Sequence, residues 1–255
     1  MTGASGAIGS ATVRALAAAG ARIVLAALAD ERDILDRLCA DAEQAGVRAL
    51  VVPTDVTIRA EIDHLVKATL GAFETIDVLA NVAGIGSSAA LCDDTDEHLR
   101  RVVEVNLLGC ARMIQAVLPA MRMQGSGSII NIGSIAGEAA VMGIYSASKF
   151  GLRGLTDTVR RETRSLNIGV TLIEPGYLRS SMNASMGNGL PSPDIVARAV
   201  VRAVLRPRRR VIVPSYYAVP VYFAKLFPGL IDLIVGDPRI QRRLNRDTRA
   251  ERSSP

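Results

Sequence analysis

The sequence predicts an α/β fold in which a parallel sheet is covered by helices on both faces. Apolar runs of strand length alternate with helical stretches over residues 1–215, which is the rhythm of βαβ units. The runs are apolar throughout rather than alternating, as strands buried on both faces require. Of the 255 residues 49% are apolar and only 4% aromatic, so the core must be built mainly from Ala, Val, Leu and Ile.

Taken in order, residues 21–28 (ARIVLAAL) read as a strand, followed by a charged helix at about 30–45. Residues 47–56 read as a strand, 59–73 as a helix, and 76–84 (IDVLANVAG) as a strand running into a Gly turn. A long helical stretch covers about 95–123, and 127–134 (GSIINIGS) is another strand. Residues 145–165 are helical, and 168–176 form a strand ending in Pro-Gly. Residues 180–193, rich in Gly, Ser, Asn and Pro, read as a loop. A further helix starts with Ser192 as N-cap and Pro193 in the first helical position, and ends near Arg206-Pro207. Residues 209–214 read as a last strand, and the tail beyond 215 has no αβ rhythm.

The chain opens MTGASGAIG. Gly3, Gly6 and Gly9 punctuate this turn, and Ile8, Thr12, Ala15, Leu16 and Ala19 then recur at helical spacing up to Gly20. A Gly-rich strand-to-helix turn lets backbone N–H groups approach a pyrophosphate, and the helix dipole favours the anion. In such folds an acid after the second strand binds the ribose of NAD, and an Arg favours NADP. Here Ala27 and Leu28 stand at those positions, with Asp30 and Arg32 reading as surface residues further on, so NAD and NADP both remain open.

In YSASK, Tyr145 and Lys149 are four residues apart and share one face of a helix. A tyrosine is ordinarily a weak base, and a neighbouring ammonium favours its phenolate. Such a pair can pass a proton to or from a carbinol oxygen while a nicotinamide moves the hydride.

These motifs, in this order, resemble the short-chain dehydrogenase/reductase family. The glycine turn appears as TGASGAIG with Ala7 in the second glycine's place, the third-strand Asp as Asp55-Val56, and the Asn-Asn-Ala-Gly motif as NVAG with Asn81, Ala83 and Gly84. The helix asparagine appears as Asn106, the active-site serine as Ser134 ahead of the Tyr145/Lys149 pair, and the Pro-Gly motif as Pro175-Gly176, with Ser180 where the family usually has Thr. The resemblance implies a Rossmann-like doubly wound sheet with Tyr145 as general acid/base and Lys149 favouring its phenolate and bonding the nicotinamide ribose. It also implies that Ser134 steadies the substrate oxygen and that Asn106 holds a water linking Lys149 to solvent. Gly3, Ser5, Ile8, Gly9, Asp55, Val56, Asn81, Ala83, Gly84, Tyr145, Lys149, Pro175, Gly176, Leu178 and Ser180 would bind NAD or NADP, with Leu178 and Ser180 on the carboxamide. Ser134 and Tyr145 are 11 residues apart, about two fewer than is usual in the family, so the loop between them must be tight. A homodimer or homotetramer through the two long helices is also implied.

That fold places the strand ahead of the opening turn at the centre of the sheet, yet only Met1 precedes the turn. Four missing aliphatic side chains there would forfeit ~6–12 kcal/mol, comparable with a whole domain's stability of ~5–15 kcal/mol. The first strand is therefore read as truncated. The natural product is expected to carry about ten more residues before Thr2, with Met1 as the strand's last residue.

Other function classes are constrained by composition. Three cysteines without a Cys-x-x-Cys pair argue against a disulfide framework or zinc site, and point to a reducing cytoplasm. His64 and His98 read as ordinary helix residues, so no metal is assigned. Residues 191–255 carry 13 Lys+Arg against 5 Asp+Glu, and residues 1–190 carry 17 against 20. Nucleic-acid binding is not indicated, because no aromatics interleave these arginines. The tail at 216–255 is read as part of the same domain. Its segment 211–236 is apolar and aromatic but interrupted by Pro214, Pro220 and Pro228, which argues against a membrane span. Either the tail packs over the substrate cleft or a partner subunit, or it rests on an anionic membrane surface. Both readings suggest a lipophilic alcohol or ketone, with Tyr177, Met182 and Met186 giving the substrate loop 177–193 an apolar inner face. The alternative to an oxidoreductase is a catalytically weak member acting as a binding protein or membrane-peripheral scaffold.

Overall fold

The computed structural model describes residues 1–86, 91–140, 142–179, 189–235 and 237. The opening turn leads into helix α1 (Ala7–Ala18), followed by β1 (Ile23–Leu25), α2 (Arg32–Gln44), β2 (Ala49–Val51), α3 (Arg59–Phe73) and β3 (Val78–Asn81). Helix α4 (Asp96–Val103) passes through a π-helical turn at Glu104–Gly109 into α5 (Cys110–Gln124), which precedes β4 (Gly127–Ile132). Then come α6 (Ala136–Ala139), α7 (Gly143–Glu162), β5 (Ile168–Pro175), α8 (Asp194–Leu205) and β6 (Arg210–Val213), and the chain continues into α9 (Ala218–Leu226) and α10 (Pro228–Val235).

All strand pairs are parallel, in the orders β1-β2 and β3-β4-β5-β6. Successive residues face opposite sides of the sheet. Leu79 and Ile129, paired in register, join a core with Ile62 and Leu65 of α3 and Met113 and Val117 of α5. Their neighbours Ala80 and Ile130 pack on the other face with Val196 and Val200 of α8. The strands are shorter than the apolar runs that announce them, because pairing stops where the chain turns out of the sheet toward the next helix.

Between β1 and β3 the sheet has a seam in place of a strand. Thr2 bridges to Ala26 on one side and Asn81 on the other. The Thr2 N–H donates to the Ala80 carbonyl (3.0 Å), and the Met1 carbonyl accepts from the Ala26 N–H (3.0 Å). Met1-Thr2 thus lies between β1 and β3, bridged to both. Behind them lies a cavity of about 320 Å³ walled by Met1, Leu16, Val24, Val78, Met113 and Val117, among others. The amino group of Met1 is buried in this gap on the Val24 carbonyl (2.8 Å), and burial lowers its pKa from 8.0 to about 6.

Two expectations shift. Helix α8 begins at Asp194, one residue later than Ser192 capping would place it. The Ser192 hydroxyl donates to the Asp194 carboxylate (2.6 Å) and accepts its N–H (3.3 Å), forming a turn ahead of the helix. The tail, which lacks strand–helix rhythm, contains two short helices, α9 and α10, meeting at 103°.

The seam yields a stability prediction. In a polypeptide beginning at Met1 the unfolded amine holds more protons than the folded one between pH 6 and 8. Stability from this group is therefore intact above about pH 8 and falls as pH drops to about 6, by roughly 2–3 kcal/mol. Acetylating the Met1 amine should remove this dependence, as read by thermal melts from pH 6 to 8.

Candidate active site

The C-terminal ends of the strands open into a cleft of about 490 Å³. Strand β4 delivers Gly133 and Ser134 to its floor, and the Ser134 Oγ accepts the Ala136 N–H (3.1 Å). Helix α7 presents Tyr145 and Lys149 from one buried face. The Lys149 Nζ donates to the Ile132 carbonyl (3.0 Å) and lies 5.7 Å from the centroid of the Tyr145 ring. No carboxylate pairs with this ammonium among the described residues, so it faces the cleft as a buried positive charge.

Asn106 sits behind Lys149, in the π-helical turn and fully buried. Its Nδ2 donates to the Ile85 carbonyl (2.9 Å) and to the Ser148 Oγ (3.1 Å), and its Oδ1 accepts the Ile85 N–H (2.9 Å). Ser148 in turn donates to the Tyr145 carbonyl (2.7 Å). The extra residue in the turn swings the amide out of the helix ladder, a common use of π-bulges.

Opposite these groups lies the glycine turn. Gly3 has φ +63°, and a Cβ there would come within 2.5 Å of the Ala83 nitrogen; at Gly9 it would lie 1.9 Å from the Gly3 carbonyl oxygen. Helix α1 has no side-chain cap, so its first N–H groups are available to an anion. The residues present therefore fit a dinucleotide: a turn with no room for a side chain at Gly3 or Gly9, an uncapped helix end, and an ammonium further along the cleft. Gly3, Ser5, Ile8, Gly9, Asp55, Val56, Ala83, Gly84, Pro175, Gly176 and Leu178 all line it.

Two expected site residues stand outside the lining, and a third is not among the described residues. Asn81 is buried one layer below, donating to Asn131 (2.9 Å), which donates to Thr156 (2.9 Å); its side chain braces neighbouring strands. Asn106 acts from behind the lining rather than in it. Ser180 lies outside the described residues, as do Met182 and Met186.

The family described as short chain dehydrogenase matches residues 1–190. This chain belongs to it. A 3-oxoacyl-[acyl-carrier-protein] reductase from Synechocystis is 38% identical over 188 residues, covering 73% of this chain and 76% of that protein. A short-chain dehydrogenase/reductase from Burkholderia phymatum in complex with NAD superposes with a TM-score of 0.81 at 25% identity, covering 90% of this chain and 93% of that one. An alcohol dehydrogenase from Thermococcus sibiricus complexed with 5-hydroxy-NADP gives a TM-score of 0.76 at 27% identity, covering 84% and 94%. The protein is an NAD(P)-dependent enzyme of the short-chain dehydrogenase family.

Two features of this short-chain dehydrogenase escape sequence reading. Glu31, at the end of a 3₁₀ turn (Ala29–Glu31), reaches the cleft and accepts a hydrogen bond from the Ser5 hydroxyl (2.8 Å). An acid following β1 therefore reaches the cleft, beyond Ala27-Leu28. The run ADER directly after the strand is its only signal in the sequence.

The second feature is a buried charge cluster. Glu138 of α6, with a side chain 1% exposed, pairs with Arg153 of α7 (2.9 Å), Arg210 of β6 (3.2 Å) and Lys225 of α9. Burial alone would raise the Glu138 pKa, but Lys225, Arg210 and Arg153 overbalance it and hold it below the usual carboxylate value. Burial pushes neighbouring Glu174 up to about 7 against the pull of Arg210. This cluster braces the tight Ser134–Tyr145 loop, whose Ile135, Ala136, Ala139 and Met142 line the cleft. The tail adds Tyr217, packed so closely on Gly176 that a Cβ there would lie 2.2 Å from the ring.

Removing Glu138 would leave Arg153, Arg210 and Lys225 without their common partner. The substitution Glu138→Ala should cost about 3–5 kcal/mol of folding stability, measured by urea unfolding.

Proposed function

We propose that the protein interconverts a lipophilic alcohol and its ketone or aldehyde, a secondary alcohol pairing with the ketone, with Tyr145 as the general acid/base. The observation that carries this reading is the convergence of Ser134, Tyr145 and Lys149 in one cleft with the glycine turn. Bound nicotinamide cofactor supplies or accepts the hydride. In the reducing direction Tyr145 gives its hydroxyl proton to the carbonyl oxygen. Lys149 favours the phenolate left behind, and Ser134 donates a hydrogen bond to the oxygen as charge develops there. Asn106 holds the helix register that brings Ser148, Tyr145 and Lys149 together. The short loop still delivers Ser134 and Tyr145 to the same cleft, which favours catalysis over the scaffold reading.

The lipophilic assignment is supported by Ile135, Ala139, Met142 and Tyr177 in the lining, and by the likeness to a reductase of 3-oxoacyl chains. The long helices α5 and α7 would form the contact of a homodimer or homotetramer, for which Phe150, 61% exposed on α7, offers an apolar contact.

Glu31 points to NAD as the preferred cofactor. Dinucleotide folds place the adenosine ribose beside the end of the second strand, where a carboxylate accepts from its hydroxyls and repels a 2′-phosphate. Like charges about 6 Å apart at an effective dielectric of about 20 repel by roughly 3 kcal/mol, or about a hundredfold in affinity.

Two measurements test this reading. With a panel of long-chain ketones and the absorbance of reduced nicotinamide as readout, Tyr145→Phe should lower kcat by about 10²–10⁴-fold; equal rates would remove Tyr145 from the chemistry. Glu31→Arg should shift the ratio of kcat/KM for NADPH over NADH upward by at least about tenfold; an unchanged ratio would refute the cofactor assignment.

A further inference from the structure

Nine of the seventeen large apolar side chains exposed on the described residues fall between Tyr216 and Ile234. This clustering follows from how the tail attaches. Tyr217, Val221 and Lys225 recur every four residues and face inward: the first packs on Gly176, the second is buried, and the third pairs with Glu138. The outward face of α9 therefore carries Tyr222, Phe223 and Leu226, with Phe227 at the bend and Leu230 and Leu233 continuing on α10. All six are 43–74% exposed. Soluble surfaces rarely carry so continuous an apolar patch without an occupant.

We propose that the α9–α10 pair docks the protein onto an anionic membrane surface, lying in the headgroup layer beside the cleft. Three observations identify this occupant. The helices have nine and eight residues and meet at 103°. Each is about 13 Å long, against a hydrocarbon core of ~30 Å, so the patch spreads over a surface and does not span it. Its tyrosines and phenylalanines are side chains suited to the boundary between headgroups and acyl chains. Finally, residues 238–255, directly after this patch in sequence, carry six arginines against one aspartate and one glutamate, complementary to anionic headgroups. Tyr217 on Gly176 and Lys225 on the Ser134–Tyr145 loop tie the patch to the cleft, giving a lipid-dissolved substrate a short route inward. The docking itself does not depend on the proposed reaction.

The test is co-sedimentation of the full chain with phosphatidylcholine vesicles, with and without about one-third phosphatidylglycerol. Partition into the anionic vesicles should be at least about tenfold stronger and should weaken as salt rises from about 0.1 to 0.5 M. The double substitution Leu226→Glu and Leu233→Glu should abolish it while NADH binding stays intact. Absence of vesicle binding, or binding that survives the double substitution, would overturn the proposal. So would a dimer that the double substitution dissociates while neither form binds vesicles, which would assign the patch to a second copy of the chain.

Discussion

The site depends on one buried ammonium. Lys149 is held at the cleft floor by the Ile132 carbonyl and paired with no carboxylate among the described residues. A charge so placed is costly unless the surroundings answer it. The answer here is built from strand ends and helix backbone. The β4 carbonyl accepts one of its protons, and Gly84 leaves space where a Cβ would stand 3.3 Å from Nζ and 3.1 Å from the Asn106 Oδ1. The π-helical turn lets Asn106 clamp the Ile85 backbone on one side and Ser148 on the other. The positive charge left over is directed at the cleft, where a phenolate and an anionic cofactor can use it.

A second dependence runs through the seam of the sheet. Thr2 joins two blocks of strands, and its Oγ also accepts the N–H groups of Val82 and Ala83 (3.2 and 3.3 Å). The glycine turn and the NVAG turn are thereby fixed against each other, which sets the spacing across the cleft. The shape of the cofactor cleft and the stability of the sheet thus meet at one residue.

The parts of this architecture legible in the sequence were those written in short-range pattern. Apolar runs gave the strands, helical spacing gave α1, α3, α5, α7 and α8, and four-residue spacing put Tyr145 and Lys149 on one face. The parts that were not legible depend on where the chain goes next. Ala27 and Leu28 occupy the positions where a cofactor acid is sought, and only the 3₁₀ turn brings Glu31 back to Ser5. Glu138, Arg153, Arg210 and Lys225 come from four separate elements, so no local pattern joins them. Asn81 carries the family's motif letter, yet its place in β3 turns its side chain toward Asn131 instead of the cleft. The tail's helices were hidden because prolines at 214, 220 and 228 break the pattern by which helices are read.

The tail also packs beside the site. Tyr217 and Lys225 bring α9 against the Pro-Gly turn and the Ser134–Tyr145 loop, so this loop is braced by a segment far along the chain. The role proposed for the Lys149 ammonium is to organise both cofactor and Tyr145. It is tested most directly by Lys149→Met, which keeps the bulk and removes the charge, followed by NADH titration and turnover. The account predicts NADH binding at least about tenfold weaker together with near-complete loss of turnover; wild-type affinity and rate in a folded Lys149→Met protein would contradict it.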